Sequence, residues 1–476
     1  MMAIKEIPRE YQSAADARDD AMKEAAKKVI PMWLYTDPND NNKTKINVIG
    51  FAKCIIKDNP MVNNKFSQDG YWYDKKNGYW LTNTDIHLEK AIADSMLSVG
   101  KWQPNTFNSV KKLVTIKTTS EADFNPFDYS NPYLVSFKNG TYNITTDTTK
   151  PNSAQDYIIQ GHNYDLNPTG SASITNQWFI ESFGSKEAAN VVKTYIGYMF
   201  VRSYQKYQKF MILHGKGGDG KSTILNYLRS LIGSNNTSNV DLADLVDRSS
   251  GKFLTSKLYQ KDLNYFADIG DGFMEQTSIL KGLTGGDAIT GQFKNKDPFE
   301  FVNHAKLIFS ANSLPVFNDF TDGFIRRPII AEVYKIKHFD DKYSMKDIEN
   351  ERGAFAYECM CLFMSLLNGK YPGQLDKWGF PTTDEMESAL KKWITDNDMV
   401  SRWLDERCDT SDNTAFEKNV YVYDSYKQFC TSEGGHPLGK QKFNANLEKH
   451  GINTKAQKKI EGRKYRGYKG IRLLND

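Results

Sequence analysis

The stretch that most restricts this chain is HGKGGDGKST, His214 to Thr223. So much glycine suits neither a core strand nor a helix interior, because glycine gives up the most backbone entropy in both. Its flanks are regular. KFMIL (209–213) is a short apolar run of the kind a buried strand needs, and STILNYLRSLIG has helical spacing and stops at Gly233. Strand, GxxxxGK[ST] turn and helix together cradle phosphate, since glycines let backbone N–H groups approach an anion at the positive end of a helix. Lys221 is expected on the β- and γ-phosphates and Ser222 on Mg²⁺. Gly215, Lys216, Gly217, Gly218, Asp219, Gly220 and Thr223 complete the expected nucleotide contact. The motif predicts binding of a nucleoside triphosphate and leaves open what is done with it.

Length and composition narrow the setting. A chain of 476 residues has room for about three domains, and 39% apolar with 25% charged residues describes an ordinary globular protein. No run of about 18 apolar residues could span a bilayer, and MMAIKEIPREYQ lacks the apolar core of a secretory signal. Five cysteines (Cys54, Cys359, Cys361, Cys408, Cys430) form no CxxC pair and read as reduced residues, with neither zinc nor a disulfide framework expected. A cytoplasmic protein is expected, with no membrane partner. The net charge is only +4, but residues 440–476 hold eleven Lys and Arg against three acids. That basic end is either a footprint for a polyanion or a solvated face.

Along the chain, Ala14, Ala17, Ala21, Ala25 and Val29 recur at helical spacing up to Pro31. GYWYDKKNGYWL (70–81) and LVSFKNGTYNI (134–144) both have the form of hairpins. Residues 1–44 are expected to be a helix and linker, and 45–165 a small α+β module. Asp396 and Asp398 make a DxD pair, but in a helix-like stretch, so no nucleotidyl-transfer site is expected. Residues 166–205 read as helical, 206–340 as alternating strands and helices of an α/β domain, and 341–384 as a helical connector.

Behind the phosphate loop come further polar strand ends. NYFADIG (264–270) offers Asp268 as an acid for the metal, and LIFSANSLP (307–315) offers Asn312 beside the γ-phosphate. GFIRRPII (323–330) sets Arg326 and Arg327 before an apolar strand, where an arginine could reach a neighbouring subunit's nucleotide. Between them, LKGLTGGDAITGQFKNKDPFEF (280–301) reads as a hairpin tipped by Lys294 and Lys296, suited to phosphate contact. Taken singly, a turn residue, a cap, surface charges and a solvated hairpin would explain the same residues.

In this order the motifs resemble superfamily 3 helicases, specifically the phage and plasmid primase–helicase branch related to the poxvirus primase–helicase. The resemblance runs from GKGGDGKS through NYFADIG, LTGGDAIT…KDPFEF and LIFSANSLP to the paired arginines, and includes the FKNG turn at 137–140. It implies a P-loop AAA+-like ATPase core and an ATP- and Mg²⁺-dependent helicase ring, most simply a homo-hexamer, on single-stranded and forked DNA. It implies Lys221 and Ser222 at the triphosphate and metal, Asp268 as the Walker B acid that also serves the metal, Asn312 as sensor, Lys296 before Lys294 as the hairpin lysine, and Arg327 before Arg326 as the trans finger. Movement from 3′ to 5′, a phage, prophage or plasmid source in a bacterial cytoplasm, and a primase, polymerase or initiator partner also follow from it. Two departures stand out. Ala267 occupies the place of a second Walker B acid, leaving Asp271 and Glu275 as candidates, and Gln292 stands where an arginine is common.

The C-terminal stretch 385–476 reads as helix, helix and two-stranded wing, a winged-helix-like domain presenting Lys440, Lys442, Arg463 and Arg466 to nucleic acid. A helical domain packed on the ATPase is the alternative. An origin-binding initiator or remodelling ATPase without processive unwinding, and a DNA-binding module with a degenerate nucleotide site, are the rival functions.

Overall fold

The structure is a computed structural model that describes residues 31–474 except 42, 65–69, 83, 121–125, 248–250, 275 and 296. The helix expected over 14–29, together with Glu275 and Lys296, therefore lies outside the described residues. The chain divides into two compact units, one reaching residue 165 and the other starting at 166, with 144–147 belonging to the second.

The first unit is α+β. Its four-stranded sheet contains the hairpin Gly70–Asp74 with Tyr79–Thr82, in which Tyr71 pairs Thr82 and Tyr73 pairs Trp80. Alternation along the first strand buries Tyr71 and Tyr73 on one face. The turn closes because the Asp74 carboxylate accepts the N–H groups of Lys76 and Asn77 and Gly78 takes φ +82°. Leu134–Phe137 and Gly140–Asn143 form the second hairpin. Helices Val48–Asp58 and Pro104–Thr118 supply Phe51, Ile55, Val110 and Val114 to a separate apolar core.

The second unit is built on a five-stranded parallel sheet: β1 (Phe210–His214), β2 (Thr237–Ser238), β3 (Leu263–Phe266), β6 (Lys306–Ala311) and β7 (Pro328–Glu332). β4 (Ala288–Gly291) and β5 (Phe299–Val302) pair with each other as a hairpin outside it. The spatial order in the sheet is β2-β3-β6-β1-β7. The inner strands β1 and β6 read as almost unbroken apolar runs because both faces are covered. Pro328 opens the edge strand β7, where a missing N–H costs no ladder bond.

Helices α1 (Ser173–Phe183) and α2 (Lys186–Met199) precede the sheet, α3 (Lys221–Ile232) follows β1, and α4 (Thr277–Gly285) precedes the β4–β5 hairpin. α5 (Arg352–Leu367) lies so close to α2 that a Cβ at Gly197 would be 2.1 Å from the Cys359 carbonyl oxygen. α6 (Asp384–Asn397) corrects an expected boundary. Its Trp393 is buried in the core of the sheet domain and donates Nε1–H to the Pro315 carbonyl, so this helix belongs to the α/β body and not to the C-terminal module. Asp396 lies in the last turn of α6, which ends at Asn397, and Asp398 caps the next helix, so the DxD pair straddles a helix junction.

The C-terminal module comprises α7 (Met399–Arg407), β8 (Phe416–Lys418), α8 (Asn419–Ser432), α9 (Lys440–Lys449), β9 (Asn453–Ile460) and β10 (Arg463–Lys469). Its antiparallel sheet has the order β8-β10-β9, and Trp403, Tyr426, Phe443 and Tyr468 fill a core of its own. Among the described residues no helix is long and apolar enough to cross a membrane.

Candidate active site

The strand order decides where a ligand can sit. β1 lies between β6 and β7, while the helix leaving β1 leads to β2 at the far edge, so the winding reverses beside β1. Ligands of open parallel sheets bind outside the carboxyl ends of the strands at such a reversal. At those ends stand the 215–220 loop after β1, Asp268 after β3 and Asn312 after β6.

The loop is shaped for an anion. Gly218 and Gly220 take φ +75° and +98°, and a Cβ at Gly217, Gly218 or Gly220 would meet nothing within 4 Å. Gly220 caps α3 without a side-chain bond, so the positive end of a twelve-residue helix faces this space. Lys216, Gly217, Gly218, Asp219, Gly220, Lys221, Ser222 and Thr223 all sit in this turn, and all but Lys216 line a cavity of about 530 Å³. Its far wall is Trp178 and Ser182 of α1 with Ile336 and Phe339 beyond β7, residues from distant parts of the chain.

One hydrogen-bonded chain crosses the cavity. The buried Lys221 ammonium donates to Asp219 Oδ2 at 2.8 Å, to the Gly215 carbonyl at 2.9 Å and to Asn312 Oδ1 at 3.0 Å. Asn312 Nδ2 in turn donates to Asp268 Oδ1 at 3.0 Å. Asp268 is held in a left-handed conformation (φ +59°) because Ser310 binds its N–H through Oγ at 3.0 Å and accepts the Ile269 N–H through its carbonyl at 2.8 Å. Three of the residues expected to share a site therefore meet. Asp271 is exposed and does not line the cavity. Open glycines, a lysine, the Ser222 hydroxyl and the Asp268 carboxylate are a donor set that fits a triphosphate with a divalent cation.

Sequence reasoning missed Ser310, Trp178, Ser182 and Phe339. Ser310 was inside LIFSANSLP, but only the strand pairing shows that it anchors residue 268. The others carry no motif.

The paired arginines separate. Arg327 is 4% exposed; its Nε donates to Thr284 Oγ1 at 2.7 Å and Nη2 to the Lys281 carbonyl at 3.1 Å. Burial, reinforced by the neighbouring Arg326 charge, pulls its pKa down to about 10. Arg326 is half-buried and donates to Gln208 Oε1. The Arg327 guanidinium is thus held within its own fold by Nε and Nη2, while its buried Nη1 has no hydrogen-bond partner among the described residues. Lys294 is exposed at the tip of the β4–β5 hairpin, where Phe293 stacks on Phe299.

Strand alternation also splits the basic β9–β10 hairpin. Arg463 pairs Ile460 and Arg466 pairs Gln457, and the two arginines, three residues apart, face opposite sides of the hairpin. Arg466 instead shares its face with Lys464 and Lys459, which sequence reading did not single out. Lys440 reaches over the Tyr423 ring. Lys442 and Lys449 of α9 line a cleft of about 540 Å³ against Lys281 and Asp319 of the sheet domain.

Three families match successive parts of the chain: "D5 N terminal like" over residues 52–184, a family of unknown function (DUF5906) over 213–327, and "Poxvirus D5 protein-like" over 395–475. Among curated proteins, the chain is 23% identical over 288 residues to "Putative helicase L207/L206" of Acanthamoeba polyphaga mimivirus, covering 56% of this chain and 29% of that protein. The chain thus spans about three tenths of that relative's length. Two solved apo structures of the NrS-1 C terminal region each align over 87% of this chain and 97% of their own, with TM-score 0.48 and 12% and 13% identity.

Proposed function

The chain is a member of the phage and viral primase–helicase family, and from that premise we propose that it is an ATP-driven replication helicase acting on DNA. The observation that carries the reading is the chain of hydrogen bonds from Lys221 through Asn312 to Asp268 at the switch point of the sheet. A phosphate loop alone serves many chemistries. A lysine, a polar sensor and an acid converging on one cavity suit hydrolysis of a terminal phosphate.

In this reading the core is a P-loop ATPase of AAA+ type, and ATP with Mg²⁺ supplies the driving force when bound. The loop glycines and Lys221 orient the triphosphate, Ser222 and Asp268 hold the cation, and Asn312 orients the attacking water. Arg326 begins the turn into β7, at the end of the sheet opposite the phosphate loop. A five-residue strand spans about 13 Å, so an arginine there serves a neighbouring subunit's nucleotide and not its own. That arrangement requires a ring, most simply a hexamer, with Lys294 and Lys296 tracking single-stranded DNA. The C-terminal module is read as a winged helix that offers Lys440, Lys442 and Arg466 with Lys459 and Lys464 to the duplex, with Arg463 on the reverse face. The first unit is read as a loading platform for a primase, polymerase or initiator, in the cytoplasm of a phage or plasmid host.

The test is strand displacement on forked duplexes with 3′ or 5′ tails, alongside the assembly mass. ATP-dependent displacement by an oligomer, lost in Lys221→Ala, is expected. ATP turnover with site-specific binding but no displacement would favour an initiator or remodelling ATPase instead.

A further inference from the structure

Asp219 is the residue of the phosphate loop whose side chain the expected chemistry does not use. Its carboxylate and the Lys221 ammonium are both buried, with side-chain exposures of 6% and 7%. Both carboxylate oxygens are engaged, at 3.0 and 2.8 Å from Nζ, and Oδ1 also lies 3.4 Å from the Lys221 backbone nitrogen. The acid thus takes the ammonium and one of the first N–H groups of α3, the two donors that a phosphate would use.

The glycines divide along the same line. A Cβ at Gly215 would come within 2.2 Å of Asp219 Oδ2 and 2.8 Å of the Val333 carbonyl oxygen. Gly215 therefore makes room for the acid, whereas Gly217, Gly218 and Gly220 border open space. The side chain is folded back inside the loop by the shape of the loop.

We propose that Asp219 is a resident counter-anion that any incoming phosphate must displace from Lys221, and that this makes nucleotide binding dependent on a divalent cation. The proposal rests on the reading of residues 215–222 as a phosphate loop. With the ammonium neutralised by its own neighbour and two further carboxylates, Asp268 and Asp340, lining the same cavity, a polyanion meets no net positive charge from the lining side chains, and Lys216 is exposed outside it. A bound divalent cation restores the balance by screening the displaced carboxylate and the phosphates together. Asp219 is a positioning residue in this scheme, acting through Lys221.

The experiment is equilibrium binding of ADP to the full chain by calorimetry, in EDTA and in Mg²⁺, for wild type, Asp219→Asn and Asp219→Ser. Both substitutions remove the charge, and serine keeps a small acceptor at the helix end should the amide fit poorly. Without the cation, ADP should bind the variants about tenfold tighter than wild type, and with Mg²⁺ the difference should shrink to about twofold or less. Equal affinities in EDTA, or the same shift in both arms, would overturn the proposal while leaving the phosphate loop intact. A wild-type chain that binds ADP in neither arm would remove the phosphate-loop reading and this proposal with it.

Discussion

Arg326 and Arg327 are adjacent in sequence and opposite in environment, and no sequence pattern distinguishes them. Arg327 closes a buried bond set with Thr284 and the Lys281 carbonyl, so Arg327→Ala removes a bond from each, although Thr284 Oγ1 keeps its own donation to the Leu280 carbonyl. A loss of about 1–3 kcal/mol in unfolding free energy is expected, measured by denaturant titration. Arg326→Ala removes one part-buried bond to Gln208 and should cost less, about 1 kcal/mol or below. Its subunits, mixed with wild type, should lower ATP turnover more steeply than dilution; a linear decline would argue against a finger in trans. Lys221, Asp268 and Asn312 were legible because each stands within a few residues of a strand end, and local order places it. Ser310 was not, because its role is to hold residue 268 across a strand pairing that joins residues forty-two apart in the chain.

At the level of elements, strand and helix positions followed from periodicity, but their partners did not. α6 has the amphipathic text of a surface helix, and only the docking of Trp393 beneath Pro315 assigns it to the α/β body. The β9–β10 hairpin shows the same limit in another form. Its cation content is plain in sequence, yet the register decides that Arg463 and Arg466 part company and that Lys459 and Lys464 join the latter. The α2–α5 contact is sharper still. On an exposed helix Gly→Ala would stabilise by up to about 1 kcal/mol. At Gly197 the added methyl would strike the Cys359 carbonyl, and the helices would have to separate. Gly197→Ala should cost about 1–3 kcal/mol, read as a lowered thermal midpoint; a neutral or raised midpoint would contradict this packing.

Across the second unit as a whole, the helices before the sheet are tied to its strands by buried polar groups. Lys306 opens β6 with no exposed surface, donates to the Val201 and His304 carbonyls at 2.7 and 2.8 Å, and lies over the rings of Tyr198 and Tyr204. Tyr195 and Tyr204 donate to the Leu307 and Ala305 carbonyls at 2.7 and 2.9 Å. Burial pulls the Lys306 pKa down to about 7, against the partial support of Asp262. The unfolded chain keeps that proton up to about pH 10.4. Between the two values it binds more protons than the folded chain, so the lysine's contribution makes stability rise with pH over that window. Lys306→Met should flatten the rise between about pH 7 and pH 10 in thermal melts; an unchanged slope would show that the ammonium does not titrate in place.

What the sequence determined by itself was the local order: a glycine-rich loop between strand and helix, polar strand ends in order behind it, two hairpins and a basic end. These depend on residues close in the chain, where spacing alone constrains geometry. The tertiary structure decided which arginine is fully buried, which helix closes the α/β core, which cations share a face of the β9–β10 hairpin, and that Asp219 turns inward onto Lys221. Each of those depends on competition for the same buried space or the same donor. Such competition is resolved only when distant segments pack and most buried polar groups find a partner.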